Sequence, residues 1–312
     1  MPAMSAVEGL DVRACTAVDV EAVLALVRAD EERVCGRASR MVEGDIRDWW
    51  QSVDLATGSW LLTSSESMIP VGVAWIERQS PELGVGFPIA PSGHPETLSL
   101  LVDQIENGAA ELSLTRLHVA MLVPDRSAEE LLSGRGYQPV RRFFEMAIEL
   151  DGPPPPASIP AGFTLQAATA EQAPAFHATI SEAFQDHWES HPQPFDEWWR
   201  RRTGDPDFDL SWWFTVREGD RTVAALRSVP ARNGGVYVAS LGVRREWRGR
   251  GLAKALLRHT FVRAWQAGMP RITLGVDASS PTGATELYRA VGMTPELESG
   301  VWEKHLTDLS TA

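Results

Sequence analysis

This 312-residue chain is short of cysteine, tyrosine, long apolar runs and positive charge. Its two cysteines, Cys15 and Cys35, are too few for the disulfide framework of a secreted domain, and with no motif around them they read as ordinary buried thiols. No run of about 18 apolar residues occurs, so no segment reads as a membrane-spanning helix. The N-terminal stretch MPAMSAVEGLDVRA has no basic region leading into an apolar core, so it does not read as a signal peptide. With 29 Lys+Arg against 42 Asp+Glu, the net charge of −13 argues against a sequence-independent nucleic-acid binder. No Cys/His cluster suggests a metal. These absences leave a cytoplasmic globular chain with no membrane or nucleic-acid partner. Its 44% hydrophobic and 23% charged residues fit that class. At roughly 150 residues per domain, the length suggests two domains.

The charge is unevenly placed. Residues 1–150 hold 23 Asp+Glu against 12 Arg, a net of −11, whereas 151–312 hold 19 Asp+Glu against 17 Lys+Arg, a net of −2. In the second half Arg244, Arg245, Arg248, Arg250, Lys254 and Arg258 crowd together, opposed only by Glu246. A run of this kind is usually a solvated helix face. Between the halves, DGPPPPASIPAG (151–162) contains four consecutive prolines, which favour a stiff, extended connection. The expected domains are therefore 1–150 and 163–312, joined by a linker at 151–162.

The halves correspond in order. Val12–Ala17 parallels Leu165–Ala170, Trp49-Trp50 parallels Trp198-Trp199, and Ser59–Thr63 parallels Ser211–Thr215. Ala128–Leu132 with Gly136 and Pro139 parallels Ala284–Tyr288 with Gly292 and Pro295. Four ordered matches at nearly constant spacing point to duplication. Each half starts with a short strand (10–15; 163–168) and two helical stretches. Two strands follow, at 59–64 and 70–77 in the first half and at 212–217 and 222–229 in the second. The second half continues with an alternating strand at 236–243, a helix at 251–267, a strand at 272–276, a helix at 282–291 and a final strand through Val301-Trp302. Strands interleaved with helices mean an α/β (α+β) sandwich in each half.

The segment that reverses the bland view of the basic run is Leu241-Gly242-Val243-Arg244-Arg245-Glu246-Trp247-Arg248-Gly249-Arg250-Gly251-Leu252-Ala253-Lys254. A strand enters a glycine-bearing turn and then the start of an amphipathic helix. The first helical N–H groups have no intrahelical partner, and the helix dipole adds positive potential. Two glycines let a ligand approach the backbone, and together these features suit a pyrophosphate. It is neither a Walker A loop nor a G-x-G-x-x-G turn.

Arg248-Gly249-Arg250-Gly251-Leu252-Ala253 resembles the R-x-x-G-x-A/G signature of the GNAT N-acetyltransferase superfamily. Ala284-Thr285-Glu286-Leu287-Tyr288-Arg289-Ala290-Val291-Gly292-Met293 resembles its second signature, A-x-x-L-Y-x-x-x-G-F/M. The likeness is strong over 160–306 and weak over 10–150, and the layout is similar to tandem actinobacterial members such as the mycothiol synthases. The resemblance implies two tandem GNAT domains, each a mixed, mostly antiparallel sheet flanked by helices, as a monomeric pseudo-dimer or weak homodimer. It implies acetyl-CoA as acyl donor and a small-molecule primary amine as acceptor. Leu241 and Val243 would contact the pantetheine arm, and Arg248, Gly249, Arg250, Gly251, Leu252 and Ala253 would cradle the pyrophosphate with Lys254 nearby. An amide of strand 236–243 would steady the oxyanion, and Tyr288 would protonate the departing thiolate. One departure stands out: many members carry a pantetheine-contacting asparagine where this chain has Pro281, with Ser280 or Thr282 as substitutes.

In the first half the cradle position reads Pro88-Ile89-Ala90-Pro91-Ser92-Gly93-His94-Pro95, without arginine, and the tyrosine slot holds Leu132. That half is expected to be non-catalytic. The acceptor is expected near Phe184–Pro192 and Phe195–Trp199, with Asp186, His187, Glu189 and His191 as candidate bases; His259 reads as packed. Alternatives are a mycothiol synthase, an antibiotic-modifying or protein-N-terminal acetyltransferase, and a non-catalytic acyl-CoA-binding regulator.

Overall fold

The computed structural model describes residues 9–190, 193–280 and 282–306. The chain forms two compact units, one of Met1–Phe143 with Leu297–Ala312, the other of Phe144–Glu296. The first unit contains β1 (Leu10–Arg13), α1 (Val20–Cys35), α2 (Glu43–Trp50), α3 (Leu55–Gly58), β2 (Ser59–Ser64), β3 (Pro70–Arg78), β4 (Leu83–Ile89), α4 (Pro95–Glu111), β5 (Arg116–Val123) and α5 (Arg126–Gly134). The strand β6 (Gln138–Glu149) leads out of it. The second unit contains β7 (Thr164–Ala167), α6 (Ala173–Phe184), α7 (Phe195–Thr203), β8 (Trp213–Glu218), β9 (Arg221–Arg232), β10 (Gly235–Val243), α8 (Leu252–Gln266), β11 (Arg271–Asp277) and α9 (Ala284–Arg289). The last strand, β12 (Thr294–His305), begins in the second unit and ends in the first.

The strands of each unit follow one plan. In the first unit β1, β2, β3 and β4 are antiparallel neighbours, β5 lies parallel to β4, and residues 298–305 of β12 pair antiparallel with β5. In the second unit β7, β8, β9 and β10 repeat the antiparallel order and β11 lies parallel to β10, with β6 beyond it. Because β6 and β12 are 12-residue strands that each cross a unit boundary, the division falls at 143/144 and 296/297. The proline run at 151–162, expected as the junction, lies in the second unit without helix or strand.

Strand alternation decides which face each residue buries. Leu61 and Leu62, adjacent on β2 and both fully buried, enter different clusters, Leu61 with Val23, Ile46 and Trp75, Leu62 with Leu101, Ile105 and Leu132. Helices therefore cover both faces of that sheet. In the second unit one large cluster joins Phe176, Trp213, Leu226, Val236, Leu256 and Ile272. Helix α9 is shorter than the expected 282–291. Gly283 (φ 69°) starts it, and the turn through Gly292 (φ 97°), with Met293 N donating to Tyr288 O at 3.0 Å, ends it. Cys15 is buried, and burial pushes its thiol up to about 11, while Cys35, expected to be buried, is half-exposed. Among the described residues no helix is long and apolar enough to cross a membrane.

Candidate active site

The second unit brings its strand, turn and helix together as the sequence pattern requires. After β10 the chain makes a short turn at 245–247 and enters α8 through two left-handed glycines, Gly249 (φ 76°) and Gly251 (φ 80°). Other residues adopt that conformation only with strain, and a Cβ at either glycine would meet no atom within 4 Å. The turn is open space. Ala255 N donates to Gly251 O at 3.0 Å as the first turn of α8 closes. The amides of Leu252, Ala253 and Lys254 precede that bond, and no side chain caps them. Uncapped amides at the positive end of a helix dipole suit an anion.

The arginines fall into two groups. Arg244 donates to Glu182 Oε2 at 2.6 Å, Thr222 O at 2.9 Å and Thr179 Oγ1 at 3.2 Å. Arg245 pairs with Asp186, and its backbone N donates to Glu182 Oε1 at 3.2 Å. Arg248 donates to Val243 O and Ala183 O, both at 3.2 Å, and to Asp186 at 3.3 Å. These three dock the turn on the end of α6. Trp247, buried, adds an anchor through Nε1 to Glu218 at 2.9 Å, with Arg221 over its ring at 4.6 Å. Arg250, which donates to Glu246 O at 3.1 Å, stays exposed, and Lys254 is half-exposed on α8.

Strands β10 and β11 are paired at Val236–Ile272 and Tyr237–Thr273. Beyond that rung both continue, β10 to Val243 and β11 to Asp277, with no further rungs between them among the described residues. The register of β10 on β9 shifts between Val238 and Ser240, and a bulge of this kind bends a strand. Leu241 and Val243 thus lie on the stretch of β10 that has left β11, with its peptide groups on that edge available to a ligand.

Tyr288 lies at 8% exposure in α9, which packs on β11. Burial, with the nearby Tyr237 phenol adding to it, pushes the Tyr288 hydroxyl up to about 12. The sequence alone gave Tyr237 no role. Its place on the alternating strand, next to the residues read as donor contacts, was the available signal.

Of the candidate bases, Asp186 is taken up by Arg245 and Arg248, and the Arg245 hydrogen bond holds its carboxyl below the usual range. His187 stacks on Phe184 (4.1 Å between centroids). Burial keeps its imidazole below the ordinary histidine value, with Asp277 raising it and Arg248 lowering it. Glu189 sits in a left-handed conformation (φ 49°) with partners of its own. His191 and Pro281 lie outside the described residues. Ser280 and Thr282, the candidate replacements for the asparagine, bond each other at 2.9 Å. His259 packs edge-on against Phe214 at 4.6 Å, the packed role expected of it.

The tryptophans of 195–199 join the core. Trp198 lies 6.3 Å from Phe176 and 5.6 Å from Trp213, and His177 packs at 4.9 Å against Trp198. A shallow surface depression has walls that include Arg202, Asp205, Phe208, Trp213, Arg227 and Val229. Val229 is the direct cross-strand partner of Tyr237, so this depression adjoins the place where β10 and β11 part.

Residues 173–293 match the acetyltransferase (GNAT) family. A crystal structure of a GCN5-related N-acetyltransferase from Sphaerobacter thermophilus is similar over 99% of this chain and 100% of its own, at 26% identity and a TM-score of 0.82. A tandem GNAT protein from the clavulanic acid biosynthesis pathway, solved without AcCoA, shares the fold at 15% identity and a TM-score of 0.69, over 96% of this chain and 100% of its own. Saccharomyces cerevisiae N-myristoyltransferase, solved with myristoyl-CoA, shares it at 10% identity and a TM-score of 0.65, over 96% of this chain and 81% of its own. No curated protein matches in sequence.

Proposed function

We propose that the second unit, within which residues 173–293 match the acetyltransferase (GNAT) family, moves acetyl from acetyl-CoA to the primary amine of a small molecule by direct attack. The observation that carries this reading is the parting of β10 and β11. The gap starts beside the open glycine turn and closes at the Tyr237–Thr273 rung of β11, the strand on which α9 packs with buried Tyr288.

The residues present fit such a donor. Gly249 and Gly251 leave room that a side chain would fill, and the first amides of α8 offer donors to a pyrophosphate. Arg248 shapes the turn through Val243, Ala183 and Asp186, while Arg250 and Lys254 supply charge at its rim. Leu241 and Val243 present backbone groups to the pantetheine arm, and an N–H of β10 steadies negative charge on the carbonyl oxygen. Acetyl-CoA supplies the thioester that the amine attacks. Tyr288, protonated across the physiological range, gives its hydroxyl proton to the departing sulfur. His187, held neutral by burial, takes the proton released by the amine.

Thiol release from acetyl-CoA, measured with the full chain and a panel of small amines, tests the reading. Acceptor-dependent release is expected. Binding of acetyl-CoA without release for any amine would instead mark a non-catalytic acyl-CoA-binding protein. The fold does not fix the acyl group, since yeast N-myristoyltransferase shares it and binds myristoyl-CoA. Side chains at the closed end of the gap must do so.

A further inference from the structure

The gap between β10 and β11 has a definite floor. Its last rung pairs Tyr237 with Thr273, so the two side chains share one face of the sheet. Thr273 is fully buried and its hydroxyl has no hydrogen-bond partner. Two residues further on, Gly275 is exposed although Leu274 and Val276 on either side are buried at 1% and 7%. An exposed glycine between buried neighbours marks an opening in the sheet face. A Cβ built on Gly275 would meet a single atom within 4 Å, the hydroxyl oxygen of Tyr237 at 3.4 Å. The Tyr237 side chain thus reaches from the last rung along β11 and bounds the space over Gly275. On its other side, across β9, lies the depression that Val229 helps to line.

We infer that Tyr237 is the specificity-determining residue that closes the donor gap and restricts the transferred group to a short acyl chain such as acetyl. The inference rests on the acyl-CoA reading above. A pantetheine arm anchored at the glycine turn runs back along β10, from Val243 toward the rung at Tyr237, so its thioester end arrives at that phenol. A two-carbon group fits against the ring. A longer chain must enter the space over Gly275 that the hydroxyl bounds. Helix α9, which carries Tyr288, packs on β11, the strand that pairs with Tyr237 at the last rung.

Two substitutions should act in opposite directions. Tyr237→Ala removes the ring and opens the floor. Gly275→Ala adds one methyl at ordinary contact distance from the Tyr237 hydroxyl and narrows it. Equilibrium binding of acetyl-, butyryl- and hexanoyl-CoA to the full chain, read by calorimetry, needs no acceptor. The unsubstituted chain should favour acetyl-CoA over butyryl-CoA by about tenfold or more, the size of effect that misfit methylenes produce. Tyr237→Ala should bring that ratio close to unity, and Gly275→Ala should raise it. An unchanged ratio in Tyr237→Ala would overturn the gate while leaving the donor reading intact. If Tyr237→Ala does not fold, an unchanged ratio in Gly275→Ala overturns it equally. Failure of the unsubstituted chain to bind any of the three would overturn both.

Discussion

At the end of its fourth strand each unit turns into a helix, and there the two part ways. In the second unit eight residues, Arg244 to Gly251, carry β10 into α8; in the first only five, Ala90 to His94, carry β4 into α4. The longer turn has two left-handed glycines facing open space. The shorter has one, Gly93 (φ 67°), and a guanidinium nitrogen of Arg33 lies 3.4 Å from where its Cβ would stand. That guanidinium is already neutralised by Asp30 at 2.8 Å and Asp125 at 2.5 Å. Proline opens α4, where α8 opens on Leu252 with its amide intact. The parallel strands differ as well: β4 and β5 share four rungs, β10 and β11 two. In the first unit β4 and β5 part only after the Gly86–Val119 rung, close to the end of β4 at Ile89, Arg33 stands at the turn, and fully buried Leu132 holds the slot where the second unit has Tyr288. On the proposed reading the first copy of the plan serves as scaffold, and the second, whose strands part earlier, holds the donor.

That contrast breaks most visibly at the shared slot. Tyr288→Phe should lower kcat by about 10²-fold or more, the usual worth of a positioned general acid, with acetyl-CoA affinity little changed. Leu132→Ala should instead cost about 2–5 kcal/mol of stability in chemical denaturation and leave turnover per folded molecule alone. Turnover unchanged in Tyr288→Phe would remove the assigned role. At the glycine turns, Gly251→Val should weaken acetyl-CoA binding about tenfold, since a left-handed β-branched residue is strained by roughly 1–2 kcal/mol or more and fills the open turn. Gly93→Val should carry the strain alone, visible in melting and absent from binding curves.

Smaller effects sharpen the division of labour among the charges. Asp186→Asn should release Arg245 and Arg248 and raise KM for acetyl-CoA a few-fold, with kcat nearly constant, as suits an exposed ion-pair network. A collapse of kcat would make Asp186 a reacting group instead. The pH profile should be the gentlest test. With the Tyr288 hydroxyl near 12 rather than its ordinary value of about 10, kcat should show no basic limb up to about pH 10. Burial lowers His187, so the acid limb of kcat/KM should fall below about pH 6.5 and vanish in His187→Gln.

The glycine turn and the leading strands of each half were legible because local rules write them, whereas the tyrosine slot was read only through the resemblance to the second GNAT signature. Left-handed backbone demands glycine, strands alternate, and a helix after a turn needs a start signal. The basic run was legible as charge, but the work of each arginine was not, because Arg244, Arg245 and Arg248 spend their donors according to where α6 lies. Tyr237 was invisible for the same reason. Its importance comes from the rung at which two strands part, and no residue type announces a rung. The proline run drew the expected division because it interrupts regular structure, yet the units divide inside β6 and β12, where continuous strands leave no local mark.

A single live seam in two copies of one plan has a stoichiometric signature. Calorimetric titration of the full chain with acetyl-CoA should give one molecule bound per chain, lost in Gly251→Val and kept in Gly93→Val. Two molecules per chain, or binding that survives Gly251→Val and disappears in Gly93→Val, would contradict the assignment of the donor site to the second unit.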